Sequence, residues 1–338
     1  MPVQQRILIA YNSPVLPENH PDAASELDIL EIVEGVEETL QAYHYPCSCV
    51  GYDRHPRPLL EAINWYQPDA IFNLYEGCGD RSETEIANAA LLEWLNIPFT
   101  GSGSLTLALC RDKVRTKHLL QSAGLPTPPF MVVEGEQIDP WTHAWPAFVK
   151  LANQDGSLGI DQGSVVTNQQ ALEDRVRLLQ ARYAVPILVE QYIAGREIYV
   201  NMFESATTGQ LQMIPPGELR YDYEQPSTNW PIYTYAAKWD PESPEFGASV
   251  ITSGVSLPEC STAMFYDICR KAFRLVGLRD YGRLDFRITP EGVPYILEVN
   301  PNPYLYSPTI VDGLSMLELH HETFIIDLAV RALARRSS

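Results

Sequence analysis

Two stretches near the C-terminus decide the fold: Arg283-Leu-Asp-Phe-Arg-Ile288 and Tyr295-Ile-Leu-Glu-Val-Asn-Pro-Asn-Pro303. In each stretch apolar and polar side chains alternate with a period of two, which is typical of a strand with one buried face. Between them lies Pro290-Glu-Gly292, which favours the turn of a β-hairpin. With Glu291 and Gly292 at the tip, the numbers of paired residues sum to 583.

This predicted register brings two acidic side chains face to face. It sets Asp285 opposite Glu298 and Arg283 opposite Asn300. Two carboxylates that face each other across a sheet repel, and the pairing is disfavoured unless a positive charge lies between them. Side-chain oxygens of Asp, Glu and Asn are ligands that Mg²⁺ prefers, usually with substrate phosphates completing the shell. The hairpin therefore indicates a magnesium site beside an arginine that can hold developing negative charge; a solvated, charged strand face is the alternative.

Size and charge narrow the class of protein. The 338 residues are too many for one small core and indicate two or three domains. With 24 basic and 43 acidic residues, the net charge of −19 argues against a nucleic-acid-binding surface, which depends on basic contacts to phosphates. No apolar run reaches the length of a membrane span. We expect neither a nucleic acid nor a membrane as a partner.

The first residues and the cysteines indicate a reducing compartment. The chain leads directly into a strand-like segment, 7–10, without the layout of a signal peptide. The six cysteines form no paired C-x-x-C spacing, so we expect free thiols and no structural metal site. The expected location is the cytoplasm.

Residues 6–100 alternate strand-like and helix-like segments. The predicted strands are 7–10, 47–52 and 70–74, and the predicted helices are 25–43, 58–66 and 82–95. This βαβα order predicts a parallel sheet. Because ligands of such sheets gather at the carboxyl ends of the strands, the loops 11–24 and 75–81 are candidate binding loops.

The rest of the chain has the pattern of two α+β units. The predicted elements of the first are helix 106–123, strand 147–151, a glycine-rich segment 153–163, helix 169–183 and strand 187–191. Those of the second are strands 197–203 and 211–214, helix 260–276, the hairpin described above and helix 313–336. Between these elements lies an irregular stretch, 215–244, rich in Pro, Tyr and Trp. Long loops of this kind are usually lids or binding loops.

A dozen short motifs, in order along nearly the whole chain, resemble the ATP-grasp superfamily and within it the D-alanine–D-alanine ligases. The motifs are Asn73-Leu-Tyr-Glu-Gly77, Ile97-Pro-Phe-Thr-Gly-Ser102, Asp112-Lys113, Gly124-Leu-Pro-Thr-Pro128, Phe148-Val-Lys150, Asp155-Gly-Ser-Leu-Gly159, Val189-Glu190, Gly195-Arg-Glu197, Pro215-Pro-Gly217, Lys238, Arg283-Leu-Asp285 and Glu298-Val-Asn300. The resemblance implies an α/β ATP-grasp fold of three domains. These are an N-terminal parallel-sheet pre-ATP-grasp domain that binds substrate (1–104), a small central α+β domain (105–190) and a C-terminal α+β domain with the metal site (191–338).

The resemblance also implies an enzyme that uses ATP to join a carboxylate to an amine through an acyl phosphate. The implied phosphate ligands are Lys113 and Lys150, with Gly156, Ser157 and Lys238 in the loops that close over the nucleotide. The implied adenine contacts are Glu190, which accepts from the amino group, and the backbone at Gln191 and Ile193; Glu197 would bind the ribose hydroxyls. Small residues suit the closing loop, since they let backbone amides approach phosphate oxygens.

The same resemblance implies the metal and catalytic residues. The implied ligands of two Mg²⁺ ions, with Mn²⁺ as the alternative ion, are Asp285, Glu298 and Asn300. Arg283 would stabilise the tetrahedral oxyanion, with Ser157 and Glu26 as further catalytic residues. Glu26 matches a family glutamate that meets the substrate amine, but it also stands where a residue of a helix's first turn supports the N-terminus.

Three departures from the family pattern concern the substrate. The closing loop ends in Lys238-Trp239 instead of Lys-Tyr, and a tryptophan ring N–H can donate a hydrogen bond but cannot accept one. The loop between residues 223 and 238 is longer than the family's compact form. Tyr304 replaces a glycine that shapes the pocket for a D-alanine carboxylate. We therefore expect a rebuilt loop tether and a changed substrate pocket.

The function predicted from the sequence is an ATP-dependent carboxylate–amine ligase of the D-alanine–D-alanine ligase type, acting on small amino acids or peptides. The alternative is an ATP-grasp ligase that joins an L-amino acid or another amine to a peptide or secondary metabolite. A non-catalytic nucleotide-binding module is the third hypothesis, and it would require loss of the metal or phosphate ligands. Family resemblance favours a homodimer formed through the N-terminal domain.

Overall fold

The computed structural model describes residues 5–17, 23–79, 81–154, 156–223 and 229–337, without the side chains of 23–26 and 337. Three sheets follow one another along this part of the chain. None of the helices in these ranges has the length and apolar character that a bilayer crossing requires. The domain boundaries proposed from the sequence stay a prediction.

The first sheet is parallel, as the βαβα order predicted. Its strands are β1 (Ile7–Asn12), β2 (Cys47–Tyr52) and β3 (Ala70–Leu74), in the spatial order β2-β1-β3. The helices of this region are α1 (Ala23–Ala42), α2 (Arg57–Tyr66) and α3 (Thr84–Trp94). Strand β3 is buried along its whole length, which is common for a parallel strand covered on both faces.

The second sheet is antiparallel and lies between residues 130 and 191. Its strands are β4 (Phe130–Val133), β5 (Ala147–Leu151), β6 (Val165–Val166) and β7 (Ile187–Gln191), in the order β4-β7-β5-β6. Helix α6 (Gln169–Arg182) covers it, and its apolar side chains share a core with β5 and β7.

The helix predicted at 106–123 is two helices, so that prediction was wrong. They are α4 (Ser104–Arg111) and α5 (Lys113–Ser122). Asp112 leaves the helical region with φ of −83° and ψ of 88°, and its side chain accepts the backbone N–H of Arg115 at 3.0 Å. The break therefore caps the new helix and fixes Lys113 in its first turn.

The third sheet is antiparallel and holds the hairpin. Its strands are β8 (Arg196–Glu204), β9 (Leu211–Met213), β10 (Gly217–Tyr221), β11 (Ser249–Thr252), β12 (Tyr281–Ile288) and β13 (Pro294–Pro301). Their order is β11-β10-β8-β12-β13, with β9 also paired to β8. The helices of this region are α7 (Tyr235–Trp239), α8 (Pro244–Ala248) and α9 (Thr262–Leu275). The stretch 215–244 is thus not wholly irregular, because β10 and α7 lie within it; both are too short to give a clear periodic signal.

The register of the β12–β13 hairpin confirms the prediction at the acidic pair. Asp285 pairs with Glu298, and Arg283 pairs with Asn300. Strand β12 is also paired to β8 on its other side, so the pair stands in the interior of the sheet and is fixed from both directions.

The predicted two-residue tip of this hairpin was wrong. The Thr289 backbone N–H donates to the carbonyl of Val293 at 3.1 Å, which leaves a three-residue loop. Gly292 ends the loop in the left-handed region, with φ of +81°. The register then shifts between Asp285 and Phe286, and Leu297 is left without a partner in the pairing, as in a β-bulge. This extra residue offsets the longer loop and restores the predicted pairing.

The C-terminal region contains two helices where one was predicted at 313–336. They are α10 (Pro308–Met316) and α11 (His321–Ala334), separated where Glu318 takes a positive φ of 59°. Apolar residues of α11, including Phe324 and Leu328, share one core with Ile9 and Phe72 of the first sheet. The last helix of the chain therefore packs in the same core as the first sheet.

Candidate active site

A cavity of about 700 Å³ is lined by residues from all three sheets. Strands contribute most of its charged residues. They include Lys150 of β5, Glu190 of β7, Glu197 of β8, Asp285 of β12 and Glu298 of β13. The cavity also reaches Asn12 at the carboxyl end of β1, the edge at which the sequence predicted ligand binding.

Two cations balance the acidic pair on the hairpin. Arg283 donates to both carboxylate oxygens of Asp285, at 2.7 and 3.0 Å. Lys113 lies 2.6 Å from a carboxylate oxygen of Glu298. Burial raises the pKa of Asp285, the negative charge of Glu298 adds to that effect, and Arg283 opposes it. The pair thus persists because positive charge adjoins each carboxylate.

The donor set of this pair fits a hard divalent cation. Asp285 and Glu298 supply carboxylates, and the side-chain amide of Asn300 donates to Asp285 at 2.9 Å, so the three groups are neighbours. No cluster of three or more His, Cys, Asp and Glu side chains able to hold a metal occurs in the described ranges. The Asn300 amide, phosphates and water are the usual sources of further oxygens around Mg²⁺.

Glu190 lies between two lysines at the other side of the cavity. The side chain of Glu190 is only 3% exposed, and its second oxygen is 2.7 Å from the ammonium of Lys150. Its first oxygen contacts the ammonium of Lys117, which also donates to Thr127 at 2.9 Å. Burial lowers the pKa of Lys117 to about 8. The two lysines thus neutralise a buried carboxylate.

Lys117 was missed by the sequence reasoning. It follows Lys113 by four residues on α5, which puts both side chains on one helix face. That spacing was the available signal, but a pair of lysines on a helix is more often solvated. The burial of Lys117 depends on its contacts with Glu190 of β7 and with Thr127.

Glu197 is held by a buried arginine and two tyrosines. Arg287 lies 2.7 Å from one carboxylate oxygen of Glu197, and Tyr221 donates to the same oxygen at 2.9 Å. Tyr199 donates to the other oxygen at 3.4 Å. Arg287 was also missed, although it is the third polar residue of the alternating β12 pattern. The carboxylate is therefore fixed in orientation at the cavity wall.

The glycine-rich loop is tethered by the residue that departs from the family pattern. The ring N–H of Trp239 donates to the backbone carbonyl of Gly156 at 3.0 Å. Gly156 and Ser157 both adopt positive φ, 67° and 63°, so the loop makes a tight turn there. The ammonium of Lys238 lies 4.8 Å from the centre of the Trp239 ring.

All but one of the predicted site residues line this one cavity. Those that line it are Lys113, Lys150, Gly156, Ser157, Glu190, Gln191, Ile193, Glu197, Lys238, Arg283, Asp285, Glu298 and Asn300. The remaining one is Glu26, whose side chain lies outside the described residues. At the end formed by the first sheet and α1, the cavity is lined by Asn12, Asp28 and Glu76, together with Tyr304.

Comparison with known proteins gives one consistent result. The family described as D-ala D-ala ligase C-terminus matches residues 119–311. An uncharacterized protein of Sinorhizobium fredii, y4sG, is 31% identical over 268 residues, covering 79% of this chain and 75% of its own length. A D-alanine–D-alanine ligase of Gloeobacter violaceus is 31% identical over 237 residues, covering 67% of this chain and 69% of its own length. In fold, the chain resembles the crystal structure of a D-alanine–D-alanine ligase from Bacillus anthracis complexed with ATP, with a TM-score of 0.70, 18% identity and coverage of 98% and 99%.

Proposed function

The chain belongs to the D-alanine–D-alanine ligase family of ATP-grasp enzymes and is an ATP-dependent carbon–nitrogen ligase, and we propose that it forms an amide through an acyl phosphate. The observation that carries this proposal is the acidic pair Asp285–Glu298, which shares a cavity with Arg283 and the lysines Lys113 and Lys150. Such a set can neutralise nucleotide phosphates and stabilise an oxyanion.

We propose that the nucleotide binds with its phosphates toward Lys113 and Lys150. Each lysine now contacts a carboxylate, and the higher charge of a triphosphate can replace that contact. The backbone of Gly156 and Ser157 would cover the phosphates, with Lys238 beside them. The proposed adenine contacts are Glu190, Gln191 and Ile193, and the proposed ribose contact is Glu197.

The proposed metal ligands are Asp285, Glu298 and Asn300. They would hold Mg²⁺, in two ions, with Mn²⁺ as the alternative. When bound, the metal supplies positive charge that neutralises the phosphates of ATP. The burial of Asp285 supports this role, because a buried carboxylate next to a second carboxylate gains most from an added cation.

The proposed reaction has two steps. A carboxylate oxygen of the donor attacks the γ-phosphorus of ATP, and ADP leaves to give an acyl phosphate. The nitrogen of the acceptor amine then attacks the carbonyl carbon, loses a proton, and inorganic phosphate leaves. Arg283 would stabilise the oxyanion of the tetrahedral intermediate. Ser157 and Glu26 keep their proposed catalytic roles.

We propose that the substrates differ from the two D-alanines that the names of several relatives indicate. Tyr304 supports this view, since its side chain lines the substrate end of the cavity where the family pattern has glycine. An L-amino acid or another amine as acceptor is the alternative. The homodimer, the cytoplasmic location and the domain boundaries at 104 and 190 remain part of the proposal.

Phosphate release with ATP and Mg²⁺ over a panel of D- and L-amino acids tests the function. We expect release that depends on at least one amino acid and yields an amide product by mass spectrometry. Strong activity with D-alanine alone would remove the proposal of altered substrates. ATP turnover that no amino acid or amine stimulates would contradict ligation itself.

A further inference from the structure

Glu76 stands at the carboxyl end of the first sheet, two residues after the end of β3. Its backbone N–H donates to the side-chain oxygen of Asn12, at the end of the adjacent strand β1, at 3.1 Å. The next residue, Gly77, has φ of +118°, and a Cβ there would come within 2.6 Å of the Ser82 backbone. The backbone is therefore fixed at Glu76 and at the residue after it, which determines where its side chain leaves the loop.

The carboxylate of Glu76 opens into the cavity without a partner. It lines the same 700 Å³ space as Arg283 and the acidic pair. Among the described residues, no hydrogen bond or ion pair reaches its side chain. Four other carboxylates that line the cavity are each paired with a cation: Glu190, Glu197, Asp285 and Glu298. Glu76 thus retains an unused capacity to accept hydrogen bonds from a cation.

The surroundings of Glu76 favour a positive ligand. Asp28 of α1 lines the same end of the cavity, so this wall carries two carboxylates and the amide of Asn12. Among the described residues, the positive charge of Lys238 lowers the pKa of Glu76, and desolvation of the carboxylate by the cavity wall outweighs that effect. An ammonium group is the part of an amino acid that such a wall would attract.

We propose that Glu76 binds the ammonium group of the amino-acid donor, the substrate whose carboxylate is phosphorylated. The attacking amine has to be neutral when it reacts, so it cannot stay paired with a carboxylate. The ammonium of the donor takes no part in the chemistry and can remain paired throughout. Glu76 is then a specificity-determining residue that selects α-amino acids over hydroxy acids and N-acylated acids. This inference rests on the proposed acyl-phosphate chemistry.

Hydroxylamine isolates the donor half of the reaction. It attacks the acyl phosphate in place of the natural amine, giving a hydroxamate and inorganic phosphate whichever acceptor the enzyme normally uses. The amino acids of the panel are offered with ATP, Mg²⁺ and hydroxylamine. The best of them is then compared with its 2-hydroxy analogue and its N-acetyl derivative. Each probe is measured with the wild type, Glu76→Gln and a matched control, Glu61→Gln, which changes an exposed glutamate on α2.

We expect Glu76→Gln to raise KM for the amino acid about ten- to hundredfold, as the loss of a charged hydrogen bond does, with little change in kcat. Its KM for ATP and for the two probes without a free amine should match those of the control. Glu76→Asp, which keeps the charge on a shorter side chain, should recover part of the loss. A rise in Tm on adding ADP and Mg²⁺ shows that each variant is folded.

Two results separate the inference from the function. If the wild type forms hydroxamate but Glu76→Gln has the same KM for the amino acid as Glu61→Gln, the inference is wrong and the function stands. The same conclusion follows if Glu26→Gln alone raises that KM. If the wild type forms no hydroxamate with any of the acids offered, the proposed function fails and the inference fails with it.

Discussion

At the residue scale, Arg283 tests the second step of the proposed chemistry. Its guanidinium now pairs with Asp285 and lies 4.9 Å from the centre of the Tyr199 ring. Arg283→Ala removes the group proposed to stabilise the oxyanion, a charge that develops only after ATP has been used. We expect kcat to fall by about 10²–10³ and the Kd for ATP to change by only a few fold.

Steady-state kinetics and nucleotide binding by calorimetry measure the two effects of the Arg283 substitution. Arg283→Lys is the control, since it keeps one positive charge beside Asp285 and should lose less in kcat than alanine does. Comparable losses in kcat and ATP affinity for the alanine variant would show that Arg283 serves mainly to hold Asp285.

Glu76 predicts a pH dependence. Although the side chain of Glu76 is exposed to the cavity, desolvation by the surrounding wall raises its pKa from the ordinary range to about 7. Because an ammonium binds the ionised carboxylate, kcat/KM for the amino acid should rise as the pH increases through about 7, and Glu76→Gln should remove this step. The raised pKa also affects the free energy of unfolding. The contribution of Glu76 to it is fully present below the pKa of the unfolded state, about 4.3, and is lost as the pH rises through the pKa of the folded state. The difference in Tm between Glu76→Gln and wild type should therefore increase over the same range.

The other titratable groups around Glu76 have to be considered before the pH step is assigned to it. Lys238 of α7 favours the ionised form. Tyr281 of β12 and Tyr304 also face Glu76, and burial raises the pKa of both above its ordinary value, so they stay neutral near pH 7. Asp28 shares the wall, and Asp28→Asn serves as the comparison: a step that vanishes in Asp28→Asn but persists in Glu76→Gln would assign the titration to Asp28 instead.

At the scale of elements, the tether between α7 and the glycine-rich loop predicts how firmly that loop closes. Trp239→Phe keeps an aromatic ring near Lys238 but removes the N–H that donates to Gly156. A neutral hydrogen bond contributes about 0.5–1.5 kcal/mol, so KM for ATP should rise about two- to tenfold. Limited proteolysis without nucleotide should cut the loop faster in the variant.

A matched substitution separates the hydrogen bond of Trp239 from the bulk of its ring. Trp141→Phe removes the ring N–H of another buried tryptophan. That N–H donates to the backbone carbonyl of Ala144, and Trp141 does not line the cavity. It should leave KM for ATP unchanged. Equal effects of the two substitutions would mean that the tether has no part in loop closure.

The hairpin shows how far sequence reasoning reaches at this scale. Alternation and turn residues are local signals, and they were enough to pair Asp285 with Glu298. The three-residue loop and the bulge at Leu297 were not predicted. Each shifts the register by one residue, and because the two shifts cancel, the predicted pairing at the site was still correct. The break at Asp112 was missed since the apolar pattern continues across it, and only the cap hydrogen bond to Arg115 reveals two helices.

At the scale of the whole molecule, contacts between distant segments account for the residues that the sequence did not predict. Lys117, Arg287 and Glu76 gain their meaning from partners on other elements, or from the lack of one inside a shared cavity. The packing of α11 against the first sheet is of the same kind. No spacing along the chain indicates such contacts, whereas the motifs that line the cavity are each short and local.

A buried aspartate makes another set of contacts between segments that are far apart in the sequence. Asp280, at the start of β12, is fully buried and accepts the backbone N–H of Gly101 at 2.8 Å. Its carboxylate also pairs with two arginines of the C-terminal region, Arg331 at 3.1 Å and Arg335 at 2.7 Å. One carboxylate thus connects the loop after the first sheet, the third sheet and the last helix.

Removing the charge of Asp280 should therefore destabilise the whole molecule. Asp280→Asn leaves the guanidinium of Arg335 without its carboxylate and leaves Arg331 paired with Glu204 alone. Breaking such a buried network costs about 3–5 kcal/mol. Urea unfolding measures this loss, with Asp267→Asn as the control. Asp267 pairs with Arg270 and Lys271 on the exposed face of α9, where the loss of a surface pair should change the urea midpoint little. Equal midpoints for the two variants would show that the first sheet and α11 are held by their apolar core alone, and that the buried carboxylate contributes nothing to joining them.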